Sequence, residues 1–297
     1  MNPSYLELLE GGELHEVALI LFERMADCDL CPRKCGANRL GGEIGYCGAS
    51  SDLEVSSFTP HFGEERPLVG SGGSGTIFFT HCPLKCCFCQ NYDISILGSG
   101  ERIGTRACAD MMLRLQEMGC HNINLVTPTH YTPQIVSAVE IAANNGLRIP
   151  LVWNCGGYES LESIKALDGI VDIYMPDIKF YSSKASNEYL GVDDYFERCS
   201  ESVVEMHRQV GDLHIEEGLA QRGLLIRHLV MPGHREDSEG IIEFVSSLSK
   251  DSYLNIMDQY RPQYNSFEHP EIDRTPYPDE VEHVRQYARK VGLHRGF

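Results

Sequence analysis

The chain has 297 residues, 42% of them hydrophobic, which suits one large α/β domain with a small addition. Its net charge of −18 argues against a broad surface for nucleic acid or anionic membrane. No apolar run approaches the roughly 18 residues of a membrane span, and residues 1–11 do not resemble a signal peptide, so the twelve cysteines predict reduced thiols in the cytoplasm.

Four cysteines near the N-terminus follow a predicted amphipathic helix over Leu14–Met25. Cys28, Cys31, Cys35 and Cys47 have the spacing C-x2-C-x3-C-x11-C, with glycines that let the backbone turn tightly between them. Four thiolates bind zinc or an auxiliary [4Fe–4S] cluster, and the spacing leaves both open. Reduced thiols without a metal are the alternative. We call residues 28–47 the cysteine knuckle.

The next stretch, Phe58–Gly75, has a loop-like composition. Its glycine-rich end, Gly70–Gly75, could be interpreted as a phosphate-binding loop, but neither a Lys-Ser/Thr pair nor a helix follows it. We therefore expect a flexible approach to the first strand of the main domain, which the apolar run Thr76–Phe79 predicts.

A second cysteine motif comes directly after that strand. Cys82, Cys86 and Cys89 have the spacing C-x3-C-x2-C, and three such thiolates can hold three irons of a cubic [4Fe–4S] cluster. The fourth iron then lacks a protein ligand, which is the arrangement of a catalytic metal rather than a structural one. Zinc or inert buried thiols are the alternatives. Cys87 does not fit the spacing and is predicted to be a buried thiol. We call residues 80–91 the cluster loop.

Strand and helix patterns alternate through the rest of the chain, which is typical of a parallel sheet with right-handed crossovers. With the first strand, the predicted strands are Asn122–Val126, Ile149–Trp153, Val171–Met175, Leu224–Val230 and Tyr253–Met257. The predicted helices are Arg106–Met118, Pro133–Asn144, Leu161–Leu167, Tyr195–Val210, Gly240–Leu248 and Asp279–Val291.

Polar residues follow the predicted strands at their C-terminal ends, where barrels of parallel strands gather their chemistry. These residues include Thr127 to His130 after the second strand, Asn154 after the third, Asp177 and Lys179 after the fourth, and Arg227 near the end of the fifth. A single polar residue there is ordinary, but a set on one rim predicts a site.

The cluster loop resembles the signature of the radical S-adenosylmethionine (SAM) superfamily. The runs Cys86–Asn91, Met175–Lys179 and Arg227 with Met231–Gly233 are similar to the activating enzymes of glycyl-radical enzymes, such as the pyruvate formate-lyase activating enzyme. The resemblance covers residues 76–262 and is strongest to PflX-type iron–sulfur proteins, which also have an N-terminal cysteine knuckle. It implies an α/β fold, a partial (β/α)6 TIM-like radical SAM barrel.

The resemblance also implies roles for individual residues. Cys82, Cys86 and Cys89 would bind the [4Fe–4S] cluster, whose open iron holds SAM. Phe88 would pack beside the adenine, and backbone groups around Gln90 and Asn91 would help to hold it. The catalytic residues would be three polar side chains that line the SAM or substrate pocket, namely Asp177, Lys179 and Arg227.

Two strand ends differ from the family pattern. The usual Gly-Gly-Glu after the second strand is replaced by Thr127-Pro128-Thr129-His130, so Thr127 or His130 is expected to accept the hydrogen bond from the SAM amino group. His130 would otherwise cap a helix or face solvent. Trp153-Asn154 replaces an Asp-Thr pair at the third strand end, and Asn154 is assigned to the cofactor-binding residues.

The predicted organisation is a knuckle region over residues 1–57, the barrel over 58–265 and a C-terminal extension over 266–297. The predicted function is reductive cleavage of SAM to a 5′-deoxyadenosyl radical, to activate a glycyl-radical enzyme by hydrogen abstraction from a glycine. An electron donor such as flavodoxin or ferredoxin would be a partner, whereas nucleic acid and membrane would not. The alternatives are radical modification of another peptide or a small molecule, or an iron–sulfur electron carrier.

Overall fold

The computed structural model describes residues 2–297. The strands are β1 (Leu53–His61), β2 (Ser74–Phe79), β3 (Glu101–Ile103), β4 (Ile123–Val126), β5 (Leu151–Cys155), β6 (Ile173–Pro176), β7 (His214–Glu216), β8 (Leu219–Leu229) and β9 (Tyr253–Met257). The helices are α1 (Tyr5–Gly11), α2 (Glu13–Glu23), α3 (Arg66–Val69), α4 (Tyr92–Ser95), α5 (Thr105–Glu117), α6 (Thr132–Asn144), α7 (Leu161–Ala166), α8 (Ser183–Leu190), α9 (Tyr195–Val210), α10 (Arg235–Leu248) and α11 (Pro278–Lys290).

Parallel strands form the main part of the sheet, in the order β2-β4-β5-β6-β8-β9. Helices connect most of these strands, and β1 pairs antiparallel with the free edge of β2, so the sheet stays open. The predicted partial (β/α)6 barrel is confirmed. Because all six strands run in the same direction, their C-terminal ends meet on one rim.

The central strands are buried along their whole length because helices and loops cover both faces of the sheet. Every residue of β5 and β6 is buried, including Trp153 at 1% exposure and Tyr174 at 0%. Each of the six predicted strands is present. The main difference is β8, which begins at Leu219 rather than Leu224 because its first residues pair with the antiparallel β7.

The expectation of a loop over Phe58–Gly75 is wrong. Residues 58–61 belong to β1, α3 follows, and Ser74 and Gly75 already belong to β2. The outer face of β1 is polar and exposed, which is common in strands near a sheet edge. Because of these polar residues, the sequence lacks the apolar run that would predict a strand here. The glycines of this stretch are closely packed and leave no room for a side chain: a Cβ on Gly72 would lie 1.9 Å from the Gly119 carbonyl oxygen.

Helices cover the outside of the sheet. The residues of α9 alternate between a buried and an exposed face with helical spacing, and the helix ends at Gly211, whose φ of 71° requires a glycine. At the N-terminus α2 packs against α6, and the cysteine knuckle continues the same hydrophobic core. No helix among residues 2–297 is both long and apolar enough to cross a lipid bilayer.

Candidate active site

A cavity of about 290 Å³ opens at the C-terminal ends of the parallel strands, and we call it the rim cavity. It is lined by most of the residues that the sequence singles out: Cys82, Cys86, Phe88, Cys89, Gln90, Asn91, Thr127, Asn154, Asp177, Lys179 and Arg227. A larger cavity of about 650 Å³ between α8 and α10 has no cysteine in its lining. The rim cavity is therefore the place where thiols and charged side chains meet.

The cluster loop places three of its four cysteines on the cavity wall. Cys82, Cys86 and Cys89 line the cavity, whereas Cys87 does not. The backbone N–H of Cys87 instead donates to the Tyr189 carbonyl oxygen, 3.0 Å away, which fixes this residue on the other side of the loop. The sulfurs that the motif predicts as ligands thus face one space.

Two of these three thiols lie in surroundings that raise the thiol pKa. Burial raises the pKa of Cys82 to about 11, and it also raises the pKa of Cys86, although the nearby Lys179 ammonium acts in the opposite direction. At neutral pH such cysteines stay protonated unless a metal replaces the proton. Three sulfurs that share one cavity with polar groups on its open side fit a [4Fe–4S] cluster with one free iron.

Opposite the thiols, a network of ion pairs joins three strand ends. Asp177 accepts hydrogen bonds from Lys179 Nζ at 2.8 Å and from Arg227 Nε at 2.7 Å. Arg227 also donates to the Asn154 side-chain oxygen at 2.8 Å. Residues near the ends of β5 and β8 and just after β6 thus form one connected group, as the rim argument predicts.

The charges of this network stabilise one another. Burial alone would raise the pKa of Asp177, but the Arg227 guanidinium and the Lys179 ammonium outweigh it and hold the pKa below its usual value. Asp177 is therefore ionised. Lys179 and Arg227 each use one N–H group to bond Asp177, and their other N–H groups can donate to a ligand in the cavity. Lys179, Arg227 and Asp177 each expose less than a fifth of the side chain, 15%, 16% and 19%.

Glu64 also lines the rim cavity, and sequence reasoning missed it. Its carboxylate lies 3.7 Å from Arg227, and burial raises its pKa although the Arg227 charge acts in the opposite direction. The residue lies between β1 and α3, in the stretch interpreted as a loop. The sequence around Glu64 contains no motif, and its carboxylate reaches the site only when the chain is folded. The structure is therefore needed to identify it.

The segment after β4, Thr127 to His130, contributes one residue to the wall of the rim cavity and another to the buried core. Thr127 has a φ of 58° and lines the cavity, whereas His130 does not. The His130 ring is 1% exposed and donates from Nε2 to the Thr80 carbonyl oxygen at 2.8 Å. Burial lowers the His130 pKa to about 3, so the ring is neutral. The structure thus leaves Thr127 as a candidate for contacting SAM and gives the His130 side chain no access to the cavity.

Aromatic side chains form the apolar wall. Phe88 meets Phe180 and Tyr260 edge-on, with ring centroids 6.0 Å apart in both pairs. Gln90 and Asn91 are exposed at the mouth of the cavity. Phe88 is consequently held in place beside the thiols.

The cysteine knuckle lies directly against the cluster loop. Arg33, within the knuckle, donates to the carbonyl oxygens of Pro83 and Leu84 at 3.0 and 3.4 Å. Cys28, Cys31 and Cys47 are buried and Cys35 is exposed, and none of the four lines the rim cavity. The two cysteine motifs are therefore neighbours in space but face different surroundings.

An open parallel barrel with thiols, ion pairs and an aromatic wall at its C-terminal rim is typical of a cofactor-dependent enzyme. The profile of the Radical SAM superfamily matches residues 76–245, and the chain belongs to this superfamily. It is 32% identical over 300 residues to an uncharacterized protein of Methanocaldococcus jannaschii, covering 99% of this chain and 81% of that protein. Among solved structures, it is similar to a domain of pyruvate-formate lyase-activating enzyme from Bacteroides vulgatus, with a TM-score of 0.38, 13% identity and coverage of 64% of this chain and 89% of that chain.

Proposed function

We propose that the protein cleaves SAM reductively in the rim cavity, with a [4Fe–4S] cluster held by Cys82, Cys86 and Cys89. The observation that carries this proposal is that these three thiols share one cavity with the network of Asp177, Lys179 and Arg227. When bound, the cluster and SAM supply one-electron chemistry that yields a 5′-deoxyadenosyl radical. The protein supplies binding, orientation and exclusion of water.

The side chains around the cavity match the groups that SAM carries. Lys179 and Arg227 are fixed cationic donors for a carboxylate, and Arg227 also donates to Asn154. Thr127 and Glu64 offer oxygens that can accept hydrogen bonds from an ammonium group. Phe88 offers a ring edge for the adenine side. Because Glu64 lies only 3.7 Å from Arg227, acceptor and cationic donor groups stand side by side, as the adjacent ammonium and carboxylate of one zwitterion require.

The substrate we propose is a glycine in a partner polypeptide, from which a hydrogen atom is abstracted, so that the protein activates a glycyl-radical enzyme. The support is the motif set that this chain shares with such activating enzymes, Cys86–Asn91, Met175–Lys179 and Arg227 with Met231–Gly233. An electron donor such as flavodoxin or ferredoxin would reduce the cluster. None of the twelve cysteines forms a disulfide in the structure, in keeping with a reducing cytoplasm.

A metal at the cysteine knuckle is the second part of the proposal. Cys28, Cys31, Cys35 and Cys47 supply four sulfurs within twenty residues, and Gly45 lies between two of them: a Cβ there would be 3.4 Å from Cys47 Sγ and 3.6 Å from Cys35 Sγ. Sulfurs that converge on one small space fit a single metal centre.

Electron paramagnetic resonance on anaerobic mixtures tests the substrate assignment. The reconstituted, reduced protein with SAM is mixed with candidate glycyl-radical enzymes, and the expected result is a glycyl radical signal that grows with 5′-deoxyadenosine. Cys87→Ala is the matched control for Cys86→Ala, because Cys87 lies next to Cys86 but outside the cavity. Formation of 5′-deoxyadenosine with a radical on a different peptide or a small molecule would contradict the glycine assignment but not the cleavage.

A further inference from the structure

Three side chains with metal-ligating atoms meet outside the rim cavity, and we call them the Glu–His–Glu set: Glu188, His269 and Glu271. One ligand atom from each residue lies within 4.8 Å of the other two. Glu188 belongs to α8, whereas His269 and Glu271 belong to the segment between β9 and α11, much later in the chain. Glu188 and Glu271 also line the cavity of about 650 Å³ between α8 and α10, so an ion can reach them from solvent.

The set has the donor atoms and the spacing of a site for a divalent transition-metal ion. An ion that binds nitrogen and oxygen at about 2.0–2.2 Å holds neighbouring ligand atoms roughly 3–3.6 Å apart. His269 Nδ1 lies 3.4 Å from Glu188 Oε1. The imidazole distinguishes the set from an ordinary group of acidic surface residues. A nitrogen ligand beside two carboxylates favours Zn²⁺, Fe²⁺ or Mn²⁺ over Mg²⁺ and Ca²⁺, which prefer oxygen ligands alone.

The two carboxylates of the set lie close together without a cationic side chain to separate them. Among residues 2–297, neither Glu188 nor Glu271 forms an ion pair with a lysine or an arginine, and Glu188 pairs with the His269 ring. Two carboxylates within 4.8 Å repel each other unless a positive charge lies between them. A divalent cation bound by both carboxylates and the imidazole nitrogen supplies that charge.

A tyrosine next to the set fixes one of its carboxylates. The Tyr189 O–H donates to Glu271 Oε1 at 2.7 Å, and the Tyr189 ring packs edge-on against the His269 ring, with centroids 5.1 Å apart. Metal ligands are commonly oriented by such outer hydrogen bonds, which raise the affinity of the site. The positions of Glu271 and His269 are therefore set before an ion binds.

The two segments that carry the set also hold the cluster loop. The backbone N–H of Cys87 donates to the Tyr189 carbonyl oxygen at 3.0 Å, and the backbone N–H of Asn265 donates to the Cys87 carbonyl oxygen at 2.9 Å. Tyr189 directly follows Glu188, and Asn265 shortly precedes His269. An ion that joins these segments would stabilise both hydrogen bonds of Cys87, and with them the loop that carries the three thiols of the rim cavity.

We propose that Glu188, His269 and Glu271 bind a divalent transition-metal ion that clamps α8 to the segment 265–272 and so stabilises the cluster loop from the side away from the rim cavity. None of the three ligands lines the rim cavity, so the ion takes no part in SAM cleavage. The inference goes beyond the proposed function and does not depend on it.

Titration of the reconstituted full chain with Mn²⁺ tests the site, because this ion prefers oxygen and nitrogen ligands to thiolates. The electron paramagnetic resonance of free Mn²⁺ counts the bound ions, and we expect one ion per chain in the wild type. His269→Gln and Glu271→Gln should each abolish this binding. Tyr189→Phe keeps all three ligands and loses the outer hydrogen bond, so it should weaken Mn²⁺ binding by about ten- to a hundred-fold.

Glu236→Gln is the matched control for the ligand variants. Glu236 is exposed and lines the same cavity as Glu188 and Glu271, but it does not belong to the Glu–His–Glu set. The variant removes one negative charge from the cavity and should bind Mn²⁺ with wild-type affinity.

Hydrogen exchange of the Cys87 and Asn265 amides tests the clamp. If these hydrogen bonds open only when the ion leaves, Mn²⁺ at a hundred times its Kd should slow their exchange by up to about a hundred-fold in the wild type. The same addition should leave exchange unchanged in His269→Gln. Bound Mn²⁺ without slower exchange in the wild type would overturn the clamp.

The binding experiment has three outcomes that would overturn the site. They are a wild-type chain that binds no Mn²⁺, ligand variants that bind it unchanged, and a Glu236→Gln control that loses it as the ligand variants do. The last result would mean that the cavity attracts cations through its net charge alone. If a ligand variant fails to fold, Tyr189→Phe decides the point, because it keeps the ring and removes only the hydroxyl; wild-type Mn²⁺ affinity in that variant would then contradict the site.

Discussion

The two cysteine motifs of this chain lie side by side and both offer sulfur atoms as ligands, but their surroundings differ. The cluster loop turns three sulfurs toward a cavity that also contains an ion-pair network. The cysteine knuckle holds four sulfurs away from that cavity, beside an arginine without a carboxylate partner. An incomplete ligand set facing open space is suited to binding a substrate, whereas a complete set in a closed site is suited to structure or electron transfer.

The two buried arginines repeat the same contrast. Arg227 is neutralised by carboxylates before any ligand arrives, so its remaining donors are free to orient a bound molecule. Arg39 makes its hydrogen bonds to carbonyl oxygens and to Cys28 Sγ, and no carboxylate among residues 2–297 pairs with it. The arginine that is paired with carboxylates lies at the rim cavity, and the arginine without a carboxylate partner lies beside the cysteine knuckle.

The largest expected effect is complete loss of SAM cleavage in Cys82→Ala, Cys86→Ala or Cys89→Ala. Each substitution removes one of the three ligands of the open cluster. Cys87→Ala should retain cleavage because Cys87 lies outside the cavity. Mass spectrometry of 5′-deoxyadenosine measures the result, and an inactive Cys87→Ala beside an active Cys86→Ala would reverse the assignment.

Loss of one metal centre without loss of the other is expected for the combined variant Cys28→Ala and Cys31→Ala. The knuckle has its own ligands, so the cluster loop should still load iron and bind SAM. Metal analysis after anaerobic reconstitution measures this. Zinc and iron contents equal to those of the wild type would contradict a separate centre at the knuckle.

Asp177→Asn should lower the free energy of unfolding by about 3–5 kcal/mol, because it leaves the buried Lys179 ammonium without its carboxylate partner and removes the carboxylate nearest to Arg227. Asp258→Asn is the matched control: its ion pair with Arg285 has exposures of 55% and 32%, and such surface pairs contribute about 0–1 kcal/mol. Chemical denaturation compares the two. Equal losses of unfolding free energy in the two variants would mean that burial does not strengthen the ion pairs of Asp177.

A pH-dependent effect is expected at Glu159, which is 2% exposed and accepts a hydrogen bond from Thr129 Oγ1 at 2.6 Å. Burial raises the Glu159 pKa to about 7. Since the folded pKa lies above the unfolded value near 4.3, stability should fall as pH rises from about 4 to 7, by up to roughly 3 kcal/mol. Glu159→Gln should remove this fall, and unfolding curves at pH 5 and 8 measure it. A fall of the same size in the variant would show that Glu159 is not the cause.

The smallest expected effect concerns the contact with SAM at the rim. Thr127→Val should weaken SAM binding by about ten- to a hundred-fold, which corresponds to about 1.5–3 kcal/mol for a hydrogen bond to a charged group. His130→Ala should keep the SAM affinity but lose stability, since the ring reaches the Thr80 carbonyl oxygen and not the cavity. SAM titration with the cluster intact distinguishes them. If Thr127→Val binds SAM with wild-type affinity, Thr127 is not the acceptor for the SAM amino group. Glu64 is then the next candidate, and SAM titration of Glu64→Gln tests it.

The sequence was sufficient for the six parallel strands and for most of the rim, and the reason is physical. Continuous apolar runs mark buried strands, and residues just after such runs meet at one rim because the strands are parallel. Asp177, Lys179 and Arg227 come together in this way. The sequence was insufficient where a side chain's direction depends on one backbone angle or on a distant contact. The left-handed turn at Thr127 decides that this residue, and not His130, faces the cavity, and Glu64 reaches Arg227 from a segment without a motif.

The central claim is that the cluster loop, and not the cysteine knuckle, carries the SAM chemistry. The most direct test is to reduce the anaerobically reconstituted protein, add SAM with no other protein present, and measure 5′-deoxyadenosine in the wild type and in the Cys28→Ala and Cys31→Ala variant. The account predicts cleavage in both when an artificial reductant supplies the electron. Cleavage that disappears with the knuckle while the cluster loop keeps its iron would contradict it.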